Sequence, residues 1–130
     1  MKLIVCVENG GGMLFNNRRL SRDSRVTEDI LNCYGDRLFF TDFSSSLFKD
    51  AKKAVSSPDT VPREGYFFIE NIPPSSLLTV TDGIVIYRWN RDYPHDLSFD
   101  IDLSEFTAAA PATEFPGTSH EKITKEEYSR

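Results

Sequence analysis

Residues 2–25 read KLIVCVENGGGMLFNNRRLSRDSR, and this stretch decides the fold. Leu3, Ile4, Val5, Cys6 and Val7 form an unbroken apolar run ended by Asn9-Gly10, the pattern of a strand buried on both faces in a central parallel sheet. Beyond the glycines, Ser21 or Asp23 is placed to cap a helix whose Val26, Ile30 and Cys33/Tyr34 recur at helical spacing, with Gly35 set to end it in a left-handed conformation. A strand over Arg37–Thr41 comes next. A second helix, capped by Asp42 or Ser44, then buries Leu47, Phe48, Ala51, Ala54 and Val55 on one stripe. The βαβα alternation predicts an α/β fold with right-handed crossovers.

The later elements fit the same plan. Pro58 and Pro62 mark a connection, Tyr66–Ile69 a third strand, and Pro73-Pro74 leaves room only for a short helix near Ser75–Val80. Ile84–Trp89 is the next strand. Leu97, Phe99, Ile101 and Leu103 alternate with Ser98, Asp100 and Asp102, which predicts a strand with one wet face.

The 130 residues, 39% of them hydrophobic, suit one domain spanning 1–130. A chain of that size buries roughly two-thirds of its unfolded surface. A net charge of −5 sets aside a general nucleic-acid or membrane-surface binder. No apolar run approaches the ~20 residues of a bilayer crossing, and no secretory signal is visible, so a cytoplasmic protein is expected. Cys6 and Cys33 read as two buried free thiols.

Gly12-Met13 and Asn16 in a glycine loop, then Asp23 near a helix start, resemble the first strand, mobile loop and substrate-binding helix of the dihydrofolate reductase family. Ile84–Trp89 followed by Asp96-Leu97-Ser98-Phe99 is similar to that family's strand and Asp-Thr-x-Phe element, and Ser119-His120 to its last hairpin. The resemblance implies a three-layer αβα fold, with a mixed, mainly parallel sheet and a C-terminal antiparallel hairpin. It also implies an NADP cofactor, and a substrate-binding, potentially catalytic carboxylate at Asp23.

The departures are functional. Where the family has a glycine and a basic residue for cofactor phosphate, this chain has Thr41 and Asp42, with Ser44 beside them; an acidic side chain at a helix start repels an anion. Where the family has consecutive glycines, this chain has Ile69-Glu70-Asn71-Ile72. The loop's Pro-Trp pair is replaced by Arg18-Arg19, and the threonine that supports the substrate carboxylate by Tyr87. Thr41, Asp42, Ser44, Glu70 and Asn71 therefore mark a former cofactor groove, and neither a cofactor nor ordinary dihydrofolate reduction is expected. Gly-Met-Leu-Phe-Asn near the start and Ser-His-Glu-Lys-Ile-Thr-Lys-Glu near the end also resemble a small bacterial family often labelled ribonuclease Z. That chemistry needs a histidine-rich two-metal cluster, and this chain has only His95 and His120.

Candidate sites are suggested by residue type. Gly10-Gly11-Gly12 lacks the spacing of a P-loop or a dinucleotide fingerprint, and is either a flexible turn or a loop closing over a ligand. Arg18, Arg19, Arg22 and Arg25 offer planar paired donors that grip a phosphate or carboxylate, or form a solvated face. With Gly10, Gly11, Gly12, Asn16 and Asp23, the first three arginines make the expected ligand-binding set. Asp23 is equally a helix cap. Asp96, Asp100 and Asp102 could hold magnesium or simply be the wet face of a strand, and no metal is expected. His95 and His120 read as exposed polar residues without a paired nucleophile. The reading is a small-anion binder in a cleft between the Gly10–Arg19 loop and the strand ends, with an NADP-dependent reductase and a ribonuclease as alternatives. A homodimer stays open.

Overall fold

The structure, a computed structural model, describes residues 1–49 and 57–130. Strand β1 (Lys2–Val7) lies at the centre of the main sheet. A small hairpin comes after it, β2 (Gly12–Phe15) and β3 (Arg18–Arg19), and then helix α1 (Ser24–Tyr34). β4 (Leu38–Phe40), β5 (Tyr66–Phe68) and β6 (Gly83–Arg88) are the other parallel strands. β7 (Leu97–Ser98), β8 (Thr107–Ala108), β9 (Thr113–Phe115) and β10 (Ile123–Ser129) complete the chain. The main sheet runs β4-β5-β1-β6-β10-β8, with β9 also paired to β10. β1 is parallel to both neighbours, β5 and β6, while β10 closes antiparallel onto β6. The fold is mixed α/β with a mainly parallel sheet and a C-terminal antiparallel hairpin.

The unbroken apolar run of β1 has the purpose its pattern predicts. Ile4 faces α1, where Val26, Ile30 and Tyr34 pack with Phe40, Phe48 and Phe68. Leu3 and Val5 face the other way, with Phe67, Ile84 and Ile86, against Leu77, Ile101 and Phe106. Leu3, Ile4 and Val5 have no exposed surface at all. Burying side chains of this size stabilises by about 1.5–3 kcal/mol each, so two core faces share one strand. On the second face the cover is a 3₁₀ helix, Pro74–Val80, whose leading prolines fit a helix start but not an interior.

Five local expectations are corrected. Gly35 has φ −54° and continues into a short 3₁₀ turn, Gly35–Arg37; no left-handed residue ends α1. Cys33 is exposed and Tyr34 takes the buried place, while both cysteines are free. Asp42–Leu47 is a 3₁₀ helix after Thr41, which makes no side-chain cap, and Ala51, Ala54 and Val55 lie outside the described residues. The alternating stretch from Leu97 pairs only over Leu97–Ser98, because its partner is the short β2, and beyond it Ile101 is buried without a strand ladder. The glycine loop is no open loop: β2 and β3 pair antiparallel, with Phe15 opposite Arg18. Asn16 and Asn17 between them have φ of 51° and 59°, the two left-handed positions of a type I′ turn.

Candidate functional site

Asp23 is the N-cap of α1, and its side chain accepts from Arg25 N–H as a cap should. That is one of four bonds. Thr118 N–H donates to Oδ1 at 2.9 Å, Ser119 N–H to Oδ2 at 2.8 Å, and His120 Nδ1 lies 2.9 Å from Oδ2. Burial would raise this carboxyl, but the four donors, led by Thr118 N–H and then His120, outweigh it and hold it at about 2. The tight approach is possible because position 117 is glycine: a Cβ there would meet the Asp23 carboxylate and the His120 carbonyl. One residue thus joins the start of α1 to the turn before β10.

His120 is buried, against the expectation of an exposed polar residue, because its ring stacks on Trp89 at 4.7 Å between centroids. Its second nitrogen, Nε2, lies 3.0 Å from Ser21 Oγ and 3.3 Å from Tyr93 OH. Asp23 is ionised and can only accept, so Nδ1 carries the ring proton in the neutral form and Nε2 presents a lone pair to Ser21. Tyr93 OH in turn donates to Ser21 Oγ at 3.3 Å. Nothing in the sequence spacing pairs residues 21, 93 and 120. Only the closing of β10 onto β6, next to the start of α1, brings them together.

Ser21, Arg22 and Asp23 line a narrow cleft together with the apolar Met13, Val26, Ile30, Phe48, Phe68 and Trp89. The free space at its centre is about 20 Å³, room for one or two water molecules. Arg19 and Glu70 line the same cleft. Arg19 Nε donates to Glu70 Oε1 at 2.5 Å and Nη2 to Oε2 at 2.8 Å, a two-pronged pair between the hairpin and the residues just after β5. Ser44 Oγ donates to the same carboxylate at 2.6 Å, and Arg19 also reaches the Phe43 carbonyl. Donating to the Glu70 carboxylate strengthens the hold of Arg19 on its proton. Cys6 lines the cleft too, but burial, with the charge of Glu70 added, pushes its thiol far up, so it is not a thiolate.

The other proposed ligand-binding residues are spread more widely. Gly12 N–H donates to Glu8 Oε1 at 2.7 Å and Tyr93 N–H to Oε2 at 3.2 Å, with His95 Nδ1 3.2 Å from Oε1. Burial raises the Glu8 carboxyl, but bonds from Gly10, Gly12 and Tyr93 N–H bring it below the usual range. The glycine triplet therefore wraps a carboxylate of its own chain. Gly11, at φ +83°, makes the turn, and a Cβ on Gly12 would run into the His95 ring. Asn16 sits at the hairpin tip, where its N–H bonds Asp96, and Arg18 does not line the cleft but flanks a shallow depression next to it, with Phe15 and Pro94. Arg25 is a surface residue 3.9 Å from Glu28. Asp42 and Asn71 are exposed, so of the former cofactor groove only Ser44 and Glu70 turn inward. Asp100 holds Ser75, and Asp102 caps Leu103–Glu105, so these aspartates serve separate turns. No cluster of three or more His, Cys, Asp or Glu among the described residues could hold a metal ion.

The fold is similar to that of the dihydrofolate reductase from Enterococcus faecalis, complexed with NADP(H) and RAB-propyl: TM-score 0.68 over 99% of this chain and 95% of that one, at 11% identity. The architecture is dihydrofolate reductase-like. No family model matches the sequence and no curated protein resembles it significantly. At this identity the likeness is one of fold. Among the described residues no helix is long and apolar enough to cross a membrane.

Proposed function

We propose that residues 1–130 form one domain that binds a small organic anion, a carboxylate on an apolar body, in the cleft between α1 and the β2–β3 hairpin, without dihydrofolate reduction. The observation that carries this reading is the Arg19–Glu70 pair. A guanidinium already gripped in two-pronged fashion by a carboxylate, at the mouth of an apolar cleft, is a carboxylate receptor with its own side chain in place. A ligand carboxylate exchanges with Glu70, Arg22 supplies a second charge, and the cleft, which in this structure has room for only one or two water molecules, opens along its apolar lining to take the apolar body.

Dihydrofolate chemistry fits these residues poorly. A pterin ring needs a carboxylate with free acceptor positions, and both oxygens of Asp23 already accept two bonds each inside the chain. The phosphates of NADP need cations and open N–H groups, whereas the groove presents the Asp42 and Glu70 carboxylates, with the charge of Arg19 already matched by Glu70. A reductase with an altered cofactor pose is the second reading, supported by the NADP(H) complex of the similar enzyme.

A thermal-shift comparison separates them. Benzoate and related aromatic acids should raise the melting temperature, Glu70→Gln should tighten their binding by removing the internal competitor, and Arg19→Ala should abolish it. Stabilisation by NADPH, or its oxidation with dihydrofolate, would establish the reductase instead.

A further inference from the structure

Ser21, His120 and Asp23 stand in the order of a nucleophile, a base and an orienting carboxylate. Ser21 Oγ is 3.0 Å from His120 Nε2, and His120 Nδ1 is 2.9 Å from Asp23 Oδ2. The carboxylate is buried and held ionised by three backbone N–H groups besides the histidine, so it fixes the ring's tautomer without taking its proton. Trp89 stacked on the ring prevents it from turning away. Ser21, unlike the other two, is only half-buried and lines the cleft wall. Ser21 supplies the partner that any buried ring nitrogen requires, and a packing role alone does not call for that serine also to line a cleft.

We propose that Ser21 is an acyl-accepting nucleophile, and that the cleft hydrolyses small carboxylic esters. The proposal deepens the anion-binding reading, on which it rests for access to the cleft: the product acid is the anion that Arg19 and Arg22 would hold. Ser21 Oγ attacks the ester carbonyl carbon while its proton passes to His120 Nε2. The carbon–oxygen bond to the alcohol then breaks, and the departing alkoxide takes that proton, leaving an acyl-serine. Water, deprotonated by the same nitrogen, attacks the acyl carbon, and Ser21 leaves with the proton restored as the free acid departs. No oxidant, metal or cofactor enters the balance. Tyr93 OH, 3.3 Å from both Ser21 Oγ and His120 Nε2, holds the serine hydroxyl in position beside the ring. Cys6, a thiol in the same cleft, is kept protonated by burial.

The test uses p-nitrophenyl acetate and a fluorophosphonate on a Cys33→Ser background, which removes the exposed thiol as a competing nucleophile. The expected results are a burst of nitrophenol, an acyl or phosphonyl adduct mapped by peptide mass spectrometry to Ser21, and a loss of about 10²-fold or more in rate for Ser21→Ala and for His120→Gln. His120→Gln could weaken the fold. Ser21→Ala, which gives up only two hydrogen bonds at a half-buried site, keeps the test decisive. Because the cleft is narrow, labelling is repeated in Glu70→Gln, whose freed Arg19 widens the mouth and should speed the reaction. Absence of a Ser21 adduct in both backgrounds, or a rate unchanged by Ser21→Ala, would overturn the proposal. Benzoate binding measured on Ser21→Ala keeps the two readings apart: retained binding without turnover supports both, whereas retained binding with no Ser21 chemistry in the parent protein leaves the anion reading standing alone.

Discussion

Asp23 is the residue on which the most structure converges, and its contribution is electrostatic. Its folded-state value of about 2 lies below the ordinary 3.8, so its stabilisation is fully present above pH 4. It is lost as pH falls through 2, and is about half gone near pH 3. Over that window the linkage is on the order of 2 kcal/mol. Asp23→Asn removes the charge and puts an amide donor against one or more donors, which should cost about 3 kcal/mol at neutral pH. Urea unfolding at pH 6 and at pH 3 checks this: the gap between parent and variant should narrow in acid. A constant gap would mean that the carboxylate is not ionised against these donors. The residue was legible as a helix cap, since an Asp just before an amphipathic stretch has few other uses. Its links to Thr118, Ser119 and His120 were not legible, because they span more than ninety positions and depend on how the sheet closes.

At the scale of elements, the main sheet was readable wherever apolar runs stood alone. β1, β5 and β6 announce themselves as unbroken hydrophobic stretches, and the prolines before Leu77 dictate a short turn. The β2–β3 hairpin did not, since three glycines and two asparagines around it look like an open loop. The hairpin exists because Asn16 and Asn17 accept left-handed backbone more cheaply than most residues do. Asn17→Gly should be neutral or stabilise by a few tenths of a kcal/mol, whereas Asn17→Val, β-branched at positive φ, should destabilise by about 2 kcal/mol. Thermal melts of the two variants test the turn assignment. Equal melting temperatures would mean that the turn does not impose a left-handed residue at 17. The same hairpin carries Arg19 into the cleft and leaves Arg18 outside, because adjacent strand residues point to opposite faces. Four arginines in eight positions looked equivalent in the sequence, and a period of two separates them.

For the whole molecule, the question is what fixes the small β3-β2-β7 sheet against the main one. Among the described contacts the Arg19–Glu70 pair is the most buried ionic link between them, with side chains 20% and 8% exposed. Ser44 adds a third member from the turn after β4. Two residues that the sequence assigned to different sites, a loop arginine and a former cofactor groove, are one structure. Charge alone could not have revealed this, since an acidic residue in place of a glycine reads only as the loss of phosphate binding. A pair so poorly exposed predicts a particular thermodynamic pattern. Arg19→Leu alone strands the Glu70 carboxylate and Glu70→Leu alone strands the guanidinium, each costing about 3 kcal/mol. The double variant replaces both charges by apolar groups in an apolar cleft, and should lose less than either single change. The positive coupling, read from urea midpoints at constant slope, should be about 3 kcal/mol or more. Additive losses would show that this pair does not couple the two sheets, and that Arg19 meets a ligand without giving up a bond worth keeping.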